Sequence, residues 1–368
     1  KLIDDKSIEV NKQFLPTDFL THRLKIYNVS PINAKQVADR VDISENQIPT
    51  FFLFAKNEAD QVKIKEIIKA EAEKLGFCFS GVTSPEMPDD FFRYRLWLEN
   101  RSYGQMEYLN RKDAVEKRQH PRFLLNSVQS IVVLGTPIQA SPLTGSFRIA
   151  AFAHYKDYHR QIYSLIEELI RRISEIAGEK PEYKICVDSS PVLERSLAVQ
   201  AGLGWIGKSS MFISPKVGSL VLLSECLLSW KLPYDKPYPN DRCGKCTRCI
   251  DACPTKCIDP QLRTIQADHC ISYLTVEHRG DIPAELAKKC GNQIFGCDIC
   301  TTVCPWNQKT DTGYSPLERF HFSDNLSDDL NLTEEEFKKK YKDTAIYRVK
   351  NEGWKRNIKT ALQNLYED

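Results

Sequence analysis

Cysteine is the residue type whose spacing in this chain points most directly to chemistry. Ten of the thirteen cysteines fall between Cys243 and Cys304. The run CGKCTRCIDACP, which begins at Cys243, has the C-x2-C-x2-C-x3-C-P spacing of bacterial ferredoxins. In that spacing three cysteines of one tight loop bind three irons of a cubane, and the fourth binds a second cluster. The run therefore predicts iron–sulfur chemistry.

A second run, CDICTTVCP from Cys297, repeats the back half of the same motif. Its first ligand must come from upstream, and spacing alone leaves both Cys270 and Cys290 open. The exchange of the last cysteine between clusters divides the ligands into two sets. Cluster I takes Cys243, Cys246, Cys249 and Cys304. Cluster II takes Cys253, Cys297, Cys300 and one of the two upstream cysteines.

A pair of zinc sites is the alternative, because zinc ribbons also use C-x2-C pairs. Eight thiolates in this order suit two 4Fe–4S cubanes better. Cys257 is interpreted as a small buried side chain of the cluster domain. Cys78, Cys186 and Cys226 lie in strand-like segments and are interpreted as core. Because two clusters move electrons one at a time, the rest of the chain must hold an electron acceptor.

The segment VDSSPVLERSLAVQAGLGWIGK, from Val187 to Lys208, is the best candidate for that acceptor side. Asp188 ends a predicted strand, and it fits either a general acid or a helix-capping carboxylate. The glycines at 202, 204 and 207 predict a bend whose backbone closely approaches a flat ligand. The bend matches neither a dinucleotide fingerprint nor a Walker loop, because the required strand and spacing are absent.

Alternating helices and strands surround these residues and form an α/β domain. A ferredoxin-like two-cluster domain and a short helical tail follow it, so the predicted fold class of the whole chain is α+β. Helical periodicity begins at Gln61 and ends at Gly76, and a longer helix runs from Tyr155 to Ala177 with Gly178 after it. A third helix is predicted directly before the glycine bend, with Ser190 as its N-cap and Pro191 at its first position. The predicted strands are FCFSGVT, SIVVLGTPI (130–138), YKICVD and SLVLLSECLLSW.

Four units follow from these elements. An N-terminal extension of unknown role covers 1–60, an α/β domain 61–235, a two-cluster ferredoxin-like domain 236–312 and a basic helical tail 313–368. In the extension, NAKQVADRVDISENQI resembles a helix-turn-helix only faintly, because Pro49 would fall in its second helix.

Composition excludes several classes of protein. The 368 residues carry a net charge of +2 and are 42% hydrophobic, which predicts a real core and no global attraction to nucleic acid. No apolar run reaches about 18 residues, and no secretory leader is visible at the start. The odd cysteine count argues against a disulfide framework, so we expect a reducing, cytoplasmic setting and a monomer.

Several motifs together resemble epoxyqueuosine reductases. They are VDSSPVLERSLAVQAGLGWIGK, CGKCTRCIDACPTK, CISYLTVEHRG and GNQIFGCDICTTVCPWN, and more thinly RSYGQMEYLNR, EKRQHPRFLL, KDYHRQIY and TAIYRVKNEGWKRNI. The resemblance covers roughly residues 61–362. It implies cobalamin in the α/β domain, reduced through two 4Fe–4S clusters, which removes the epoxide oxygen of epoxyqueuosine in tRNA. A flavodoxin- or ferredoxin-type electron donor is implied as well.

The resemblance also implies roles for single residues. Asp188 matches the aspartate that gives a proton to the leaving oxygen, and a carboxyl held protonated beside an apolar face suits that task. Cys270 rather than Cys290 matches the remaining ligand of cluster II. Arg118 matches an arginine at the polar edge of cobalamin, and Phe212 and Leu223 match its lining by position.

The tail adds a charge signal of its own. From Phe337 to Lys359 nine Lys and Arg stand against two acidic residues, a local charge of +7. Such a patch suits either tRNA phosphates or a solvated helical face. With the family resemblance we expect tRNA contacts from Arg348, Lys355 and Arg356, and a packing role for Trp354.

Two features depart from the family pattern, and three other functions stay open. Tyr155 replaces a usual glycine and the preceding AAFAH lacks a usual basic residue, which puts cofactor contacts there in question. Another cobalamin-dependent reductase, such as a reductive dehalogenase, is the main alternative function. Non-enzymatic alternatives are a ferredoxin module on a binding domain and an RNA-binding protein with structural clusters.

Overall fold

The computed structural model describes residues 57–140, 144–308 and 314–367. The N-terminal extension up to residue 56, including the helix-turn-helix-like segment, lies outside the described residues. In the described parts of the chain, no helix is long and apolar enough to cross a membrane.

A four-stranded antiparallel sheet organises the first half of the chain. Its strand order is β1 (Phe79–Thr83), β2 (Ser130–Pro137), β7 (Val221–Leu228) and β4 (Tyr183–Cys186). Because every pairing is antiparallel, the predicted α/β domain contains no parallel βαβ units. The four strands match the four predicted from apolar β-branched runs.

Three helices cover the two faces of this sheet. On one face α1 (Glu58–Lys74) and α4 (Tyr158–Ala177) bury their apolar stripes against β2. On the other face α5 (Glu194–Gln200) packs through Leu197 and Ala198. The helix α4 ends as predicted, with Gly178 in the left-handed conformation at φ 68°.

The starts of two helices differ from the prediction. Helix α4 begins at Tyr158 instead of Tyr155, because the Asp157 side chain caps it by accepting from the His159 backbone N–H. Helix α5 begins at Glu194, so Ser190 and Pro191 are not its cap and first residue. Residues 187–192 instead form tight turns, in which Val192 N donates to Ser190 O at 2.9 Å.

Smaller elements complete the first half. They are α2 (Phe91–Glu99), α3 (Lys112–Gln119), β3 (Arg148–Ile149), β5 (Trp205–Ile206) and β6 (Phe212–Ile213). The second half contains α6 (Arg248–Ala252), β8 (Ile258–Asp259), β9 (Thr264–Ile265), α7 (Ile271–Val276), α8 (Ala284–Lys289), β10 (Gln293–Phe295), α9 (Ile299–Thr302), α10 (Pro305–Gln308), α11 (Glu334–Tyr341) and α12 (Lys350–Glu367).

The cluster segment is joined to both of its neighbours. Strand β10 pairs in parallel with β3 of the first half, and the Asp298 carboxylate accepts from Ala151 N at 2.6 Å. The tail packs around Trp354, which is 0% exposed and donates from its indole to Asp329 at 2.9 Å. The packing role predicted for this tryptophan is confirmed.

Candidate active site

Asp188 lies in the turn between β4 and α5 with its carboxylate accessible. Its φ of 51° places it in the left-handed region, which aspartate tolerates better than most residues. Its side chain is 58% exposed. Tyr158 OH donates to Asp188 Oδ2 at 3.1 Å, and the Asp188 backbone N–H donates to Glu194 Oε1 at 2.9 Å. The second bond shows that Glu194 caps the Asp188 amide, so Asp188 does not act as a helix cap.

A histidine connects Asp188 to a second carboxylate. His159 Nε2 lies 3.1 Å from Asp188 Oδ2, and His159 Nδ1 lies 2.9 Å from Asp157 Oδ1. The imidazole is therefore held between two carboxylates, and it stacks on the Tyr158 ring at 4.0 Å. This arrangement orients both ring nitrogens and favours the protonated imidazolium.

The charges and hydrogen bonds of this group favour a proton on the histidine. Burial by itself raises the pKa of Asp188, but the hydrogen bond and charge of His159 outweigh it and bring the pKa below its usual value. Burial lowers the pKa of His159, and its bonds to Asp188 and Asp157 more than reverse this. Without a cofactor beside it, this geometry favours an ionised Asp188 next to a protonated His159, and a protonated Asp188 beside the apolar face of cobalamin stays a prediction.

Two further carboxyl groups lie behind this pair. Burial, followed by the negative charge of Asp188, raises the pKa of Glu194 to about 8. Glu225 on β7 stands opposite Val133 and Cys186 in the sheet register and is 0% exposed. Neither Glu225 oxygen has a hydrogen-bond partner among the described residues, and burial raises its pKa well above the usual value. Burial therefore favours the neutral form of both groups.

Three predicted site residues lie near the phenol of Tyr108, namely Arg118, Asp188 and Arg348. Arg348 Nη2 donates to Tyr108 OH at 3.5 Å, and its guanidinium lies 6.0 Å from the ring centroid. The pKa of Tyr108 is raised by burial and by the charges of Glu277 and Asp188. The positive charges of Arg348 and Arg118 oppose that rise. Residues far apart in the sequence therefore act on one phenol.

Arg118 and Arg348 differ in how they are held. Arg118 lies on α3, donates to Ala114 O at 3.1 Å and stacks over Tyr94 at 5.4 Å. Arg348 forms a two-bond ion pair with Glu277, with distances of 2.6 and 2.9 Å. Both guanidiniums therefore have fixed positions at the rim of the site.

The two apolar residues predicted to contact cobalamin have different environments. Leu223 is half-buried on β7, on the sheet face that also carries Glu225. Phe212 is only 3% exposed and packs edge-to-face against Phe79 with centroids 5.9 Å apart. A ligand contact by Phe212 would therefore require that side chain to become exposed.

The glycine bend packs against protein. A Cβ at Gly204 would lie 2.1 Å from Ile213 O, and one at Gly207 would lie 2.5 Å from Ile213 Cδ1. The same Gly207 Cβ would lie 3.5 Å from Cys243 Sγ. Gly204 is needed because the β6 backbone approaches closely, which gives this glycine a packing role, and the approach of the bend to a flat ligand stays a prediction.

Four cysteines surround one cavity at the surface. The cavity measures about 260 Å³, and its cysteines are those assigned above to cluster I. Its lining consists of Lys208, Ser209, Ile213, Arg242, Cys243, Cys246, Arg248, Cys249, Cys304, Pro305 and Trp306. Among the described residues, no three His, Cys, Asp or Glu side chains converge on a point that would hold a single metal ion.

The predicted cluster II cysteines are neighbours as well. The Cys300 thiol lies close enough to Cys270 and Cys253 for their charges to interact. The Cys297 thiol interacts in the same way with Cys300 and Cys270. The Cys270 thiol also accepts from backbone N–H groups at the start of α7. Cys290, by contrast, is 2% exposed in an apolar cluster with Ile271 and Leu274.

Cys257 has closer contacts than its predicted role implies. It is buried as predicted, but its sulfur lies 3.6 Å from Cys253 Sγ and also bonds to Cys270. It therefore borders the predicted cluster II ligands rather than an apolar core. Cys186 and Cys226 are buried and Cys78 is partly buried, on the strands where the sequence predicts core positions.

The predicted tRNA-contacting cations of the tail are not equivalent. Arg356 donates to the backbone carbonyls of His278 and Gly280 at 3.0 and 2.6 Å and to that of Leu274 at 2.8 Å. Its guanidinium is thus occupied within the fold. Lys355 is half-exposed, and no ion pair involves it within the described chain.

Comparison with known proteins identifies the family. Residues 242–307 match the 4Fe-4S double cluster binding domain, and residues 118–189 match epoxyqueuosine reductase QueG, DUF1730. The chain is 39% identical over 301 residues to the epoxyqueuosine reductase of Leadbetterella byssophila, which covers 79% of this chain and 96% of that one. It is 33% identical to the Escherichia coli enzyme, with 83% and 82% covered. This chain belongs to the epoxyqueuosine reductase family.

Solved structures agree with the membership. The epoxyqueuosine reductase of Streptococcus thermophilus superposes with a TM-score of 0.73 at 29% identity, covering 83% of this chain and 82% of that one. An epoxyqueuosine reductase bound to an epoxyqueuosine-modified tRNA-Tyr stem loop superposes with a TM-score of 0.69 at 29% identity, covering 82% and 81%. Family membership favours the predicted reductase over the dehalogenase alternative.

Within this epoxyqueuosine reductase fold, sequence reasoning missed four polar residues of the site. They are Tyr108, Tyr158, His159 and Glu194. All four stand in segments quoted above for their resemblance, namely RSYGQMEYLNR, KDYHRQIY and VDSSPVLERSLAVQAGLGWIGK. The signal available was a polar residue at or near the start of a short or long helix, which does not by itself identify a partner.

Proposed function

We propose that this chain reduces epoxyqueuosine in the anticodon loop of tRNA to queuosine, the last step of queuosine biosynthesis. The observation that carries the proposal is the accessible Asp188–His159 pair, flanked by fixed arginines, in a chain whose cysteines form two ferredoxin-like sets. The reaction takes the epoxide, two electrons and two protons to an alkene and water. The site must therefore deliver electrons and protons to one oxygen.

The electrons are proposed to pass through two 4Fe–4S clusters. The cavity lined by Cys243, Cys246, Cys249 and Cys304 fits cluster I in donor set and position. The contacts of Cys270 with the remaining thiols support it over Cys290 as the fourth ligand of cluster II. Cluster II is thus held by Cys253, Cys270, Cys297 and Cys300.

Cobalamin is proposed as the acceptor of these electrons. The available groups fit it: half-buried Leu223 offers an apolar contact, and Arg118 offers a fixed donor for a polar edge. When bound, cobalamin supplies a strongly reducing cobalt that opens the epoxide. The ordered Tyr158 and His159 hold the Asp188 carboxylate for its part of the reaction.

Protons are supplied by the chain itself. One of the two protons is held by the His159 imidazolium 3.1 Å from Asp188 Oδ2, and Asp188 passes it to the leaving oxygen. Asp157 keeps the ring in place through Nδ1. The pair thereby neutralises an alkoxide that would otherwise be a poor leaving group.

The substrate and setting follow from the same features. Accessible cations of the tail, with Lys355 foremost and Arg348 at the site, are proposed to contact tRNA phosphates. A flavodoxin- or ferredoxin-type donor is proposed to supply electrons in the cytoplasm, where thiolates stay reduced. The acid, the thiolates and the cations all belong to one chain, which supports action as a monomer.

Anaerobic turnover tests the proposal. The protein with restored clusters receives cobalamin, a strong reductant and tRNA from cells arrested at epoxyqueuosine, and the digested nucleoside is followed by mass spectrometry. We expect loss of one oxygen only with cobalamin, little activity in Asp188→Asn, and full activity in the exposed control Glu179→Gln. Turnover without cobalamin would refute the cofactor assignment. An untouched nucleoside with cobalamin bound would refute the substrate.

A further inference from the structure

The loop that carries the first cysteine run has an unusual charge pattern. The residue directly before each of its first three cysteines is a cation, namely Arg242, Lys245 and Arg248. All three side chains are exposed. We call these three residues the loop cations.

The loop cations are not neutralised within the described chain. None of them forms an ion pair with a described carboxylate, and Arg242 only stacks over Tyr238 at 5.7 Å. The nearest acidic side chain in sequence, Asp241, is already bound by Arg263 and by the Cys243 backbone N–H. Positive charge is therefore left facing solvent.

A fourth cation fixes the loop from the inside. Lys208 Nζ donates to Gly244 O at 2.7 Å and to Cys246 O at 3.0 Å. With the loop fixed, Arg242 and Arg248 line the cavity of cluster I and reach the surface beside it. The cysteines of this cavity are themselves only partly buried.

The predicted ligands of cluster II lie near Asp188. Arg195, which follows Glu194 on α5, lies within charge range of Cys270 and Cys300 and of Asp188. Cluster I is the cluster that the exposed Arg242 and Arg248 adjoin, which makes it the natural entry point for electrons at this surface.

We propose that the loop cations Arg242, Lys245 and Arg248 form the docking surface for an acidic one-electron carrier protein. This inference rests on the proposed function only in naming the reductase that uses the electrons. At the surface the carrier loses one electron and cluster I gains it, and two such encounters supply one turnover. Opposite charge raises the encounter rate by about 10- to 1,000-fold at low salt.

The test measures cluster reduction directly. The holoprotein with both clusters is mixed anaerobically with reduced flavodoxin, an acidic carrier, and cluster bleaching is followed by stopped flow. The variant carries Arg242→Glu, Lys245→Glu and Arg248→Glu. The matched control carries Lys180→Glu, Lys184→Glu and Lys231→Glu, which are exposed residues outside the cluster segment and give the same change in net charge.

We expect the second-order rate to fall at least about tenfold in the loop variant at low salt, and to change little in the control. Near 1 M salt, where the screening length is about 3 Å, the two rates should converge. With reduced methyl viologen, a small cation, the loop variant should be reduced at least as fast as wild type. A milder variant carries Arg242→Gln, Lys245→Gln and Arg248→Gln. This variant and the measured iron content of each protein show that the cluster is intact.

Other outcomes separate the possibilities. Equal flavodoxin rates in all proteins would overturn the docking surface. Loss of tRNA affinity in the loop variant, with an unchanged flavodoxin rate, would overturn it too and make the surface an RNA contact. If tRNA is never reduced but flavodoxin shows the expected charge dependence, the docking surface stands and the proposed function fails.

Discussion

The Asp188–His159 pair gives the sharpest test of the chemistry, because one substitution separates the acid from its proton store. In His159→Gln the Nε2 contact of 3.1 Å to Asp188 and the positive charge are both lost. Removal of a positioned general acid lowers rates by about 100- to 10,000-fold. Since Asp188 keeps Tyr158 as a donor and is 58% exposed, we expect the lower end, about 100-fold in kcat.

Asp157→Asn is the graded companion of this variant. It leaves the imidazole in place and removes only the charge 2.9 Å from Nδ1. A charge-assisted hydrogen bond contributes about 1.5 kcal/mol at its weaker end, and 1.36 kcal/mol corresponds to tenfold in rate. We therefore expect kcat to fall about tenfold, with KM for tRNA unchanged.

The pH profile distinguishes a proton store from a structural role. The bonds to Asp188 and Asp157 raise the pKa of His159, so activity should be present below that pKa and should fall as the pH rises through it. Asp157→Asn should move this falling limb to lower pH. The assay is anaerobic single-turnover oxygen loss from pH 5 to 9. If His159→Gln kept wild-type kcat and the same alkaline limb, the shared proton would be refuted.

Three further predictions concern clusters, stability and RNA. Cys270→Ser should lose about half of the bound iron, whereas Cys290→Ser should keep it and lose about 1–3 kcal/mol of stability, because a buried hydroxyl lacks a partner; equal iron loss would contradict the ligand choice. Glu194 has a pKa of about 8 in the folded protein against 4.5 in the unfolded one, so the wild type should lose stability as the pH rises between these values. Glu194→Gln should not show this loss. In urea unfolding the variant should be more stable than the wild type by on the order of 3 kcal/mol at pH 8, and equally stable near pH 4. Lys355→Ala should lower the salt slope of tRNA binding by roughly 1, whereas Arg356→Ala should cost about 2 kcal/mol of stability with the slope retained, and the reverse result would exchange their roles.

Sequence patterns predicted most of the framework because the framework depends on local signals. The apolar runs of β2 and β7 and the stripe and terminal glycine of α4 are each readable within one segment. The start of α5 was mispredicted because a bond between a side chain and the backbone, six positions apart, competes with the capping sequence. Glu194 turns back to the Asp188 amide, and this holds the intervening residues in turns even though Ser190 and Pro191 form a good capping sequence.

The same distinction applies to the site. Asp188 could be predicted because it stands at a strand end in a distinctive motif. His159 could not, because its contact with Asp188 joins two elements 29 positions apart and depends on the packing of α4. The packing role of Gly204 could not be predicted for a related reason, since only the fold shows that the Ile213 backbone occupies the space beside it.

Helix α5 contacts both the acid Asp188 and the surroundings of the predicted cluster II ligands. Its first residue, Glu194, binds the Asp188 amide on the side of the acid. Its second residue, Arg195, donates to Ser210 O at 2.7 Å and lies within charge range of Cys270 and Cys300. A shift of this short helix would therefore move the acid and alter the electrostatic environment of cluster II together. Arg195→Gln should accordingly change both the alkaline limb of the pH profile and the reduction potential of cluster II, and a change in only one of them would show that the two are independent.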